Sequence, residues 1–136
     1  MNLTLLVLPG RYSICRLNAG DAVPAWAPVS TGPLGSGAGG FVSVTRTGDE
    51  LSIVCPESDV PEAVRCDRGW RCLKVAGPLD LSLTGVLAGL TAPLAEARIN
   101  IFAVSTFDTD YLLVKDERLS RALETLVSAG HRIEPR

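Results

Sequence analysis

The sequence predicts an α+β protein of the ferredoxin-like, βαββαβ type, with antiparallel sheets carrying helices on one face and two such units side by side. Three observations point there. From residue 69 onward, strand-like and helix-like segments follow in the order β-α-β-β-α-β. Two stretches of that half carry apolar residues at steps of three and four, the spacing of one helix face. Two hairpin signals, one in each half, can be laid over each other without gaps.

The elements follow in chain order. LTLLVL (3–8) and YSICRL (12–17) read as strands on either side of Pro9-Gly10-Arg11. In NAGDAVPAWAPV, Asp21 is placed to cap a single helical turn before Pro24. STGPLGSGAGG (30–40) reads as a flexible loop, and it lacks the Lys and Ser/Thr that a phosphate loop requires. FVSVTRTGDELSIVC (41–55) is a hairpin around Thr47-Gly48-Asp49, and PESDVPEAV is at most a short helix, interrupted by Pro61.

WRCLKVAG (70–77) reads as a strand. In LSLTGVLAGLTAPLAEAR the residues Leu83, Val86, Leu87, Leu90, Leu94 and Ala97 line one helix face, with Asp80 or Ser82 as its cap. Pro93 falls on the opposite, exposed face, where it should bend the helix or restart it after Thr91. INIFAV (99–104) and YLLV (111–114) are strands around STFDTD. ERLSRALETLVSAG repeats the helical spacing through Leu119, Ala122, Leu123, Leu126 and Val127, and Gly130 supplies the stop. HRIE has room for a last short strand, on which His131 would be exposed.

The two hairpins align as FVSVTRTGDELSIV (41–54) over IFAVSTFDTDYLLV (101–114), so that Val44 meets Val104 and Val54 meets Val114. On this reading the first half is a trimmed copy of the second, with its helices reduced to DAVPAWA and SDVPEA. Side-by-side sheets would then cover edge strands that neither copy leaves bare.

Composition narrows the function classes. Of 136 residues, 46 % are hydrophobic and 21 % charged, which indicates a well-cored globular chain. A net charge of −2 gives no general attraction to nucleic acid or anionic lipid. The cluster Arg65, Arg68, Arg71 and Lys74 is diluted by Glu62 and Asp67 and reads as a solvated face. The opening MNLTLLVLPGR lacks a basic region and a long apolar core, and no stretch approaches the roughly 20 apolar residues of a membrane span. A soluble, cytoplasmic protein is expected. Cys15, Cys55 and Cys72 sit in strand-like runs as buried thiols, Cys66 completes the set, and no CxxC pair is present. With one histidine near the end, neither a zinc site nor a Ser-His-Asp or Cys-His arrangement is expected.

The stretch GWRCLKVAGPLDLSLTGVLAGLTAPLAEARINIFAVSTFDTDYLLV resembles the ACT domain, a small-molecule sensing module attached to many amino-acid biosynthetic enzymes. It looks most like stand-alone proteins with tandem ACT units, and is similar to the ACT repeats of the CASTOR arginine sensors and of aspartate kinase regulatory regions. The resemblance implies an ACT domain at 69–136 and a degenerate ACT-like unit at 1–68. It implies a ligand held where two domains meet, between the loop Gly77 to Gly85 and the strand Asn100 to Phe102 of a neighbour. The turn would contribute Thr106, Phe107 and Asp110. Arg98 departs from the pattern, standing where relatives often carry glycine or a small polar residue. The first half lacks a matching glycine-led helix, which shifts the expected sites to the interface of a homodimer.

The implied ligand-binding set is therefore Thr84, Gly85, Asn100, Ile101, Thr106, Phe107 and Asp110, with no catalytic residue, metal or cofactor. An amino acid or related metabolite is the expected ligand, and a regulated protein partner would read its binding. The chemistry fits. Unpaired N–H groups near Ser82, Thr84 and Gly85 suit a carboxylate. Asp110 suits an ammonium, amides at Asn100 and Ile101 complete the polar shell, and Phe107 covers apolar parts. Plainer readings stand beside these. Asp108 and Asp110 are turn formers, Phe107 is a core residue, Gly85 allows close helix-sheet contact, and Trp26 and Trp70 are packing anchors. Two other functions remain open: a ligand-free dimerising scaffold, and an acylphosphatase-like hydrolase resting on PGRYS (9–13) and Asn100.

Overall fold

Alternating apolar residues make strands wherever one face can be covered, and the covered faces here define two compact units. The computed structural model describes residues 2–27 and 40–134, so the glycine-rich stretch 30–40 lies outside the described residues except for Gly40. The units are Pro9–Trp70, and Met1–Leu8 together with Arg71–Arg136. The expected division placed residues 1–8 with the first unit. They join the other one because β1 (Thr4–Val7) pairs with strands of the second half.

In the unit Pro9–Trp70, β2 (Tyr12–Leu17) runs antiparallel to β4 (Leu51–Pro56), and β4 to β3 (Ser43–Arg46). On its other side β2 pairs with the first residues of β5 (Cys66–Val75). Cys15, Ala27, Leu51, Ile53, Cys55 and Val60 form the core, with Trp26 packed against it. Asp21 caps no helix: its carboxylate accepts a hydrogen bond from the Asn18 N–H at 3.1 Å, closing a turn instead. The expected short helix after Pro56 is a 3-10 turn at Glu57–Asp59.

The other unit has the strand order β6-β7-β5-β1-β8, with β6 (Phe102–Ser105), β7 (Asp110–Lys115) and β8 (Arg132–Glu134). The βαββαβ order is present, but its sheet is not purely antiparallel. β1 is inserted between the first and last strands, antiparallel to β5 and parallel to β8. Helices α1 (Val86–Glu96) and α2 (Leu119–Ser128) pack on the sheet in one apolar cluster. Leu5, Leu73, Val75, Leu112 and Val114 come from the strands, and Val86, Leu90, Leu94, Ala122 and Leu126 from the helices. The helix runs through Pro93 without restarting, and Pro93 is half-buried, not exposed. No helix among the described residues is long and apolar enough to cross a membrane.

His131 is not an exposed strand residue. It is 4 % exposed, its Nδ1 accepts from the Leu3 N–H at 3.1 Å, and its Nε2 meets the Gly89 carbonyl at 2.9 Å. The carbonyl can only accept, so Nε2 donates and the ring is the neutral Nε2–H tautomer. This one side chain ties β1 to α1.

Both helices end the same way. Ile99 N–H bonds Leu94 C=O and Arg98 N–H bonds Ala95 C=O, as His131 N–H bonds Leu126 C=O and Gly130 N–H bonds Val127 C=O. In this C-terminal motif one residue must be left-handed. Gly130 (φ 100°) takes that place after α2, but Arg98 (φ 62°) takes it after α1. A side chain there costs about 1–2 kcal/mol, partly offset by the greater freedom of glycine in the unfolded chain. Arg98→Gly should therefore raise unfolding stability by a few tenths to about 1 kcal/mol in urea titrations. A loss would show that the arginine side chain makes contacts that outweigh the backbone strain.

Candidate functional site

Two segments of the larger unit face each other across a crevice of about 370 Å³: the approach to α1 (residues 79–88) and the turn between β6 and β7 (105–110). The turn is held from within by Thr106. Its N–H bonds the Thr109 carbonyl at 2.8 Å, and its hydroxyl donates to the same carbonyl at 3.1 Å. Two further bonds join the turn to the end of β5 and to the start of the approach segment. Thr109 Oγ1 donates to the Val75 carbonyl at 2.6 Å, and the Leu79 N–H donates to the Asp108 carbonyl at 2.7 Å. Gly77 permits this approach, since a Cβ there would lie 3.1 Å from the Asp108 carbonyl oxygen and 3.3 Å from Thr109 Cβ.

The helix does not begin where Asp80 or Ser82 would cap it. The Asp80 carboxylate is instead occupied by the Ser82 N–H at 2.9 Å and the Ser82 hydroxyl at 2.8 Å. These bonds to the charged form hold its carboxyl below the usual range. The chain then turns through Gly85, left-handed at φ 81°, and α1 starts at Val86 with no side-chain cap. A Cβ on Gly85 would meet nothing within 4 Å, so the backbone angle, not close helix-sheet contact, demands glycine here. The first helical bond runs from the Gly89 N–H to the Gly85 carbonyl at 2.9 Å. The amides of Val86, Leu87 and Ala88 thus have no partner one turn back, and all three residues line the crevice.

Of the residues singled out from the sequence, Gly85, Thr106, Phe107 and Asp110 line this crevice, together with Asp80 and Asp108. Thr84 is exposed beside it. Asn100 and Ile101 do not line it, and they precede β6, which starts at Phe102. Phe107 is no core residue, being 78 % exposed, and Leu81 and Leu83 are exposed beside it. Asp110 opens β7 and accepts a hydrogen bond from the Ser105 hydroxyl at 2.5 Å. Among the described residues, three carboxylates line the crevice and no Lys, Arg or His does. Among the described residues no group of three His, Cys, Asp or Glu side chains is arranged to hold a metal.

The hairpin in the other unit separates scaffold from site. Strands Ser43–Arg46 and Leu51–Pro56 and the turn Glu57–Asp59 match Phe102–Ser105, Asp110–Lys115 and Asp116–Arg118 at a constant offset of 59 residues. The sequence overlay used 60 and is one residue out. At the true register Thr47 stands for Thr106, and its N–H bonds the Glu50 carbonyl at 2.9 Å in the same turn. Thr106 and Asp108 therefore repeat in both turns, as Thr47 and Asp49. Phe107, Thr109 and Asp110 replace Gly48, Glu50 and Leu51. These three are not needed to make the turn.

The larger unit is a ferredoxin-like βαββαβ domain with a crevice at the start of its first helix. The profile of the ACT domain matches residues 65–128, and a second profile, of an N-terminal domain, matches 10–63. Residues 65–128, a little under half of the chain, are an ACT domain. It is similar to protein Atu0741 of Agrobacterium tumefaciens, known from a crystal structure, at 45 % identity and a TM-score of 0.86, covering 98 % of this chain and 93 % of that one. It is 27 % identical over 97 residues to the cytosolic arginine sensor for mTORC1 subunit 1 of Bos taurus, covering 63 % of this chain. It spans only 30 % of that sensor's length. Aspartate kinase of Clostridium acetobutylicum shares the fold at a TM-score of 0.61 and 10 % identity, over 89 % of this chain and 33 % of that one.

Thr109 is 4 % exposed, so removing its hydroxyl strands a buried carbonyl. Thr109→Val should lower stability by about 1–3 kcal/mol in urea unfolding, with Thr109→Ser keeping most of it. A loss in Thr109→Ser with none in Thr109→Val would assign the effect to the threonine methyl group instead.

Proposed function

We propose that this chain is a regulatory sensor that binds a free amino acid or a closely related metabolite in the crevice between residues 79–88 and 105–110, and performs no chemistry on it. The observation that carries this reading is the pairing of uncapped helix amides at Val86, Leu87 and Ala88 with carboxylates at Asp108 and Asp110. The positive end of a helix suits a carboxylate, and an aspartate suits an ammonium; a zwitterion presents both. Exposed Phe107, Leu81 and Leu83 gain by covering an apolar stem.

The charge balance narrows the ligand. Among the described residues, three carboxylates and no cationic side chain line the crevice, which favours neutral or basic side chains over acidic ones. Kinship with arginine sensors supports the same direction. Asn100 and Ile101 enter this reading through a second copy, whose strand start would close the site in a homodimer. Binding would then favour one arrangement of the pair, for a protein partner to read. A cytoplasmic location fits four free thiols. Against catalysis by histidine, both nitrogens of His131 are engaged in structure.

Thermal unfolding with each of the twenty amino acids tests the proposal. A true ligand at 100 times its Kd adds about 2.7 kcal/mol of stability, and basic or neutral amino acids should stabilise where aspartate and glutamate do not. Asp110→Asn should weaken the response at least tenfold, the loss of one charge-assisted bond. If the folded protein responds to none of the twenty, the ligand-free dimerising scaffold replaces the sensor.

A further inference from the structure

Three of the four cysteines meet on one face of the sheet in the unit Pro9–Trp70. Cys15 on β2 stands directly opposite Cys66 on β5. Cys55 on β4 is opposite Ser13, hence diagonal to Cys15 and on the same face. Cys15, Cys55 and Cys66 share one apolar cluster. The Arg16 N–H bonds the Arg65 carbonyl at 3.1 Å, which makes Cys15 and Cys66 a non-hydrogen-bonded cross-strand pair. In such pairs the Cα atoms lie about 4.5 Å apart, inside the span a disulfide accepts. Diagonal neighbours lie about 7–8 Å apart, beyond it. Exposure divides the roles: Cys15 and Cys55 are buried, whereas Cys66 is partly open to solvent.

We infer that Cys66 is an oxidation site, resolved by Cys15 as a reversible cross-strand disulfide when the protein meets hydrogen peroxide. The Cys66 thiolate sulfur attacks the peroxide, the O–O bond breaks, and the sulfenic acid and water form. Cys15 sulfur then attacks Cys66 sulfur. The S–O bond breaks, the S–S bond forms, and the departing hydroxide takes the Cys15 proton as a second water. Two thiols lose two electrons and two protons, and one peroxide is reduced to two waters. Burial holds the Cys66 thiol above its ordinary value, so the first step is slow and suits sustained oxidant exposure over rapid sensing. The trio forms no soft-metal site: among the described residues no three His, Cys, Asp or Glu side chains are grouped to hold a metal ion.

The sequence lends itself to the test, because trypsin places the four cysteines on four fragments: YSICR, TGDELSIVCPESDVPEAVR, CDR and CLK. The full chain is treated with hydrogen peroxide, remaining thiols are alkylated, and the digest is read without reductant. The expected product is YSICR joined to CDR, with the intact mass lower by two hydrogen atoms and the change reversed by dithiothreitol. Cys66→Ser should abolish the link and Cys72→Ser should leave it. A bridge between Cys15 and Cys55, or Cys66 ending as a sulfinic acid or intermolecular disulfide while Cys15 stays alkylable, would overturn the assignment.

Discussion

Two hydrogen bonds carry the architecture of the crevice: Thr109 hydroxyl to the Val75 carbonyl, and the Leu79 N–H to the Asp108 carbonyl. They fasten the tip of one hairpin to the chain that has just left β5. Without them the turn and the approach to α1 would be independent surface loops. With them, Asp108 and Asp110 of one segment and Val86, Leu87 and Ala88 of the other line one crevice. The bond from Thr109 is buried, and buried polar bonds are costly to lose. The rest of the approach, from Asp80 to Gly85, is exposed. A rigid clamp thus stands beside a segment with little to hold it, the division expected where a ligand must both fit and move something.

The contrast between the two hairpins gives the site its meaning. Both turns use a threonine at the same position, and both keep an aspartate two residues later, so these residues serve the turn. Only one turn carries an exposed phenylalanine, a threonine that reaches across to another segment, and an aspartate opening the next strand. Turn formation accounts for none of those three. Aspartate is disfavoured at a strand start and a large aromatic side chain is disfavoured in water, so their presence together marks a surface shaped for something besides stability.

Much of this was legible in the sequence, because period and punctuation are local. The helical spacing of Leu90, Leu94, Leu119 and Leu126 located both helices, and Gly130 marked one stop. The rest depended on contacts distant in sequence. Nothing in LTLLVL says that it enters the sheet between the first and last strands of the second half. His131 looked exposed because its partners, Leu3 and Gly89, are remote in sequence. The start of α1 was misread because Asp80 and Ser82 are good caps that satisfied each other instead. Gly85, Thr106, Phe107 and Asp110 converge on one crevice, but Asn100 and Ile101 do not reach it, and Asp80 and Asp108 joined the lining without a signal beyond turn chemistry.

The most direct test follows backbone amide resonances of the 15N-labelled protein during titration with arginine, lysine and the other common amino acids. The account predicts that the largest, saturable shifts fall on Val86, Leu87 and Ala88 and on Thr106 to Asp110. Saturable shifts centred away from both segments, with these amides unmoved, would contradict it.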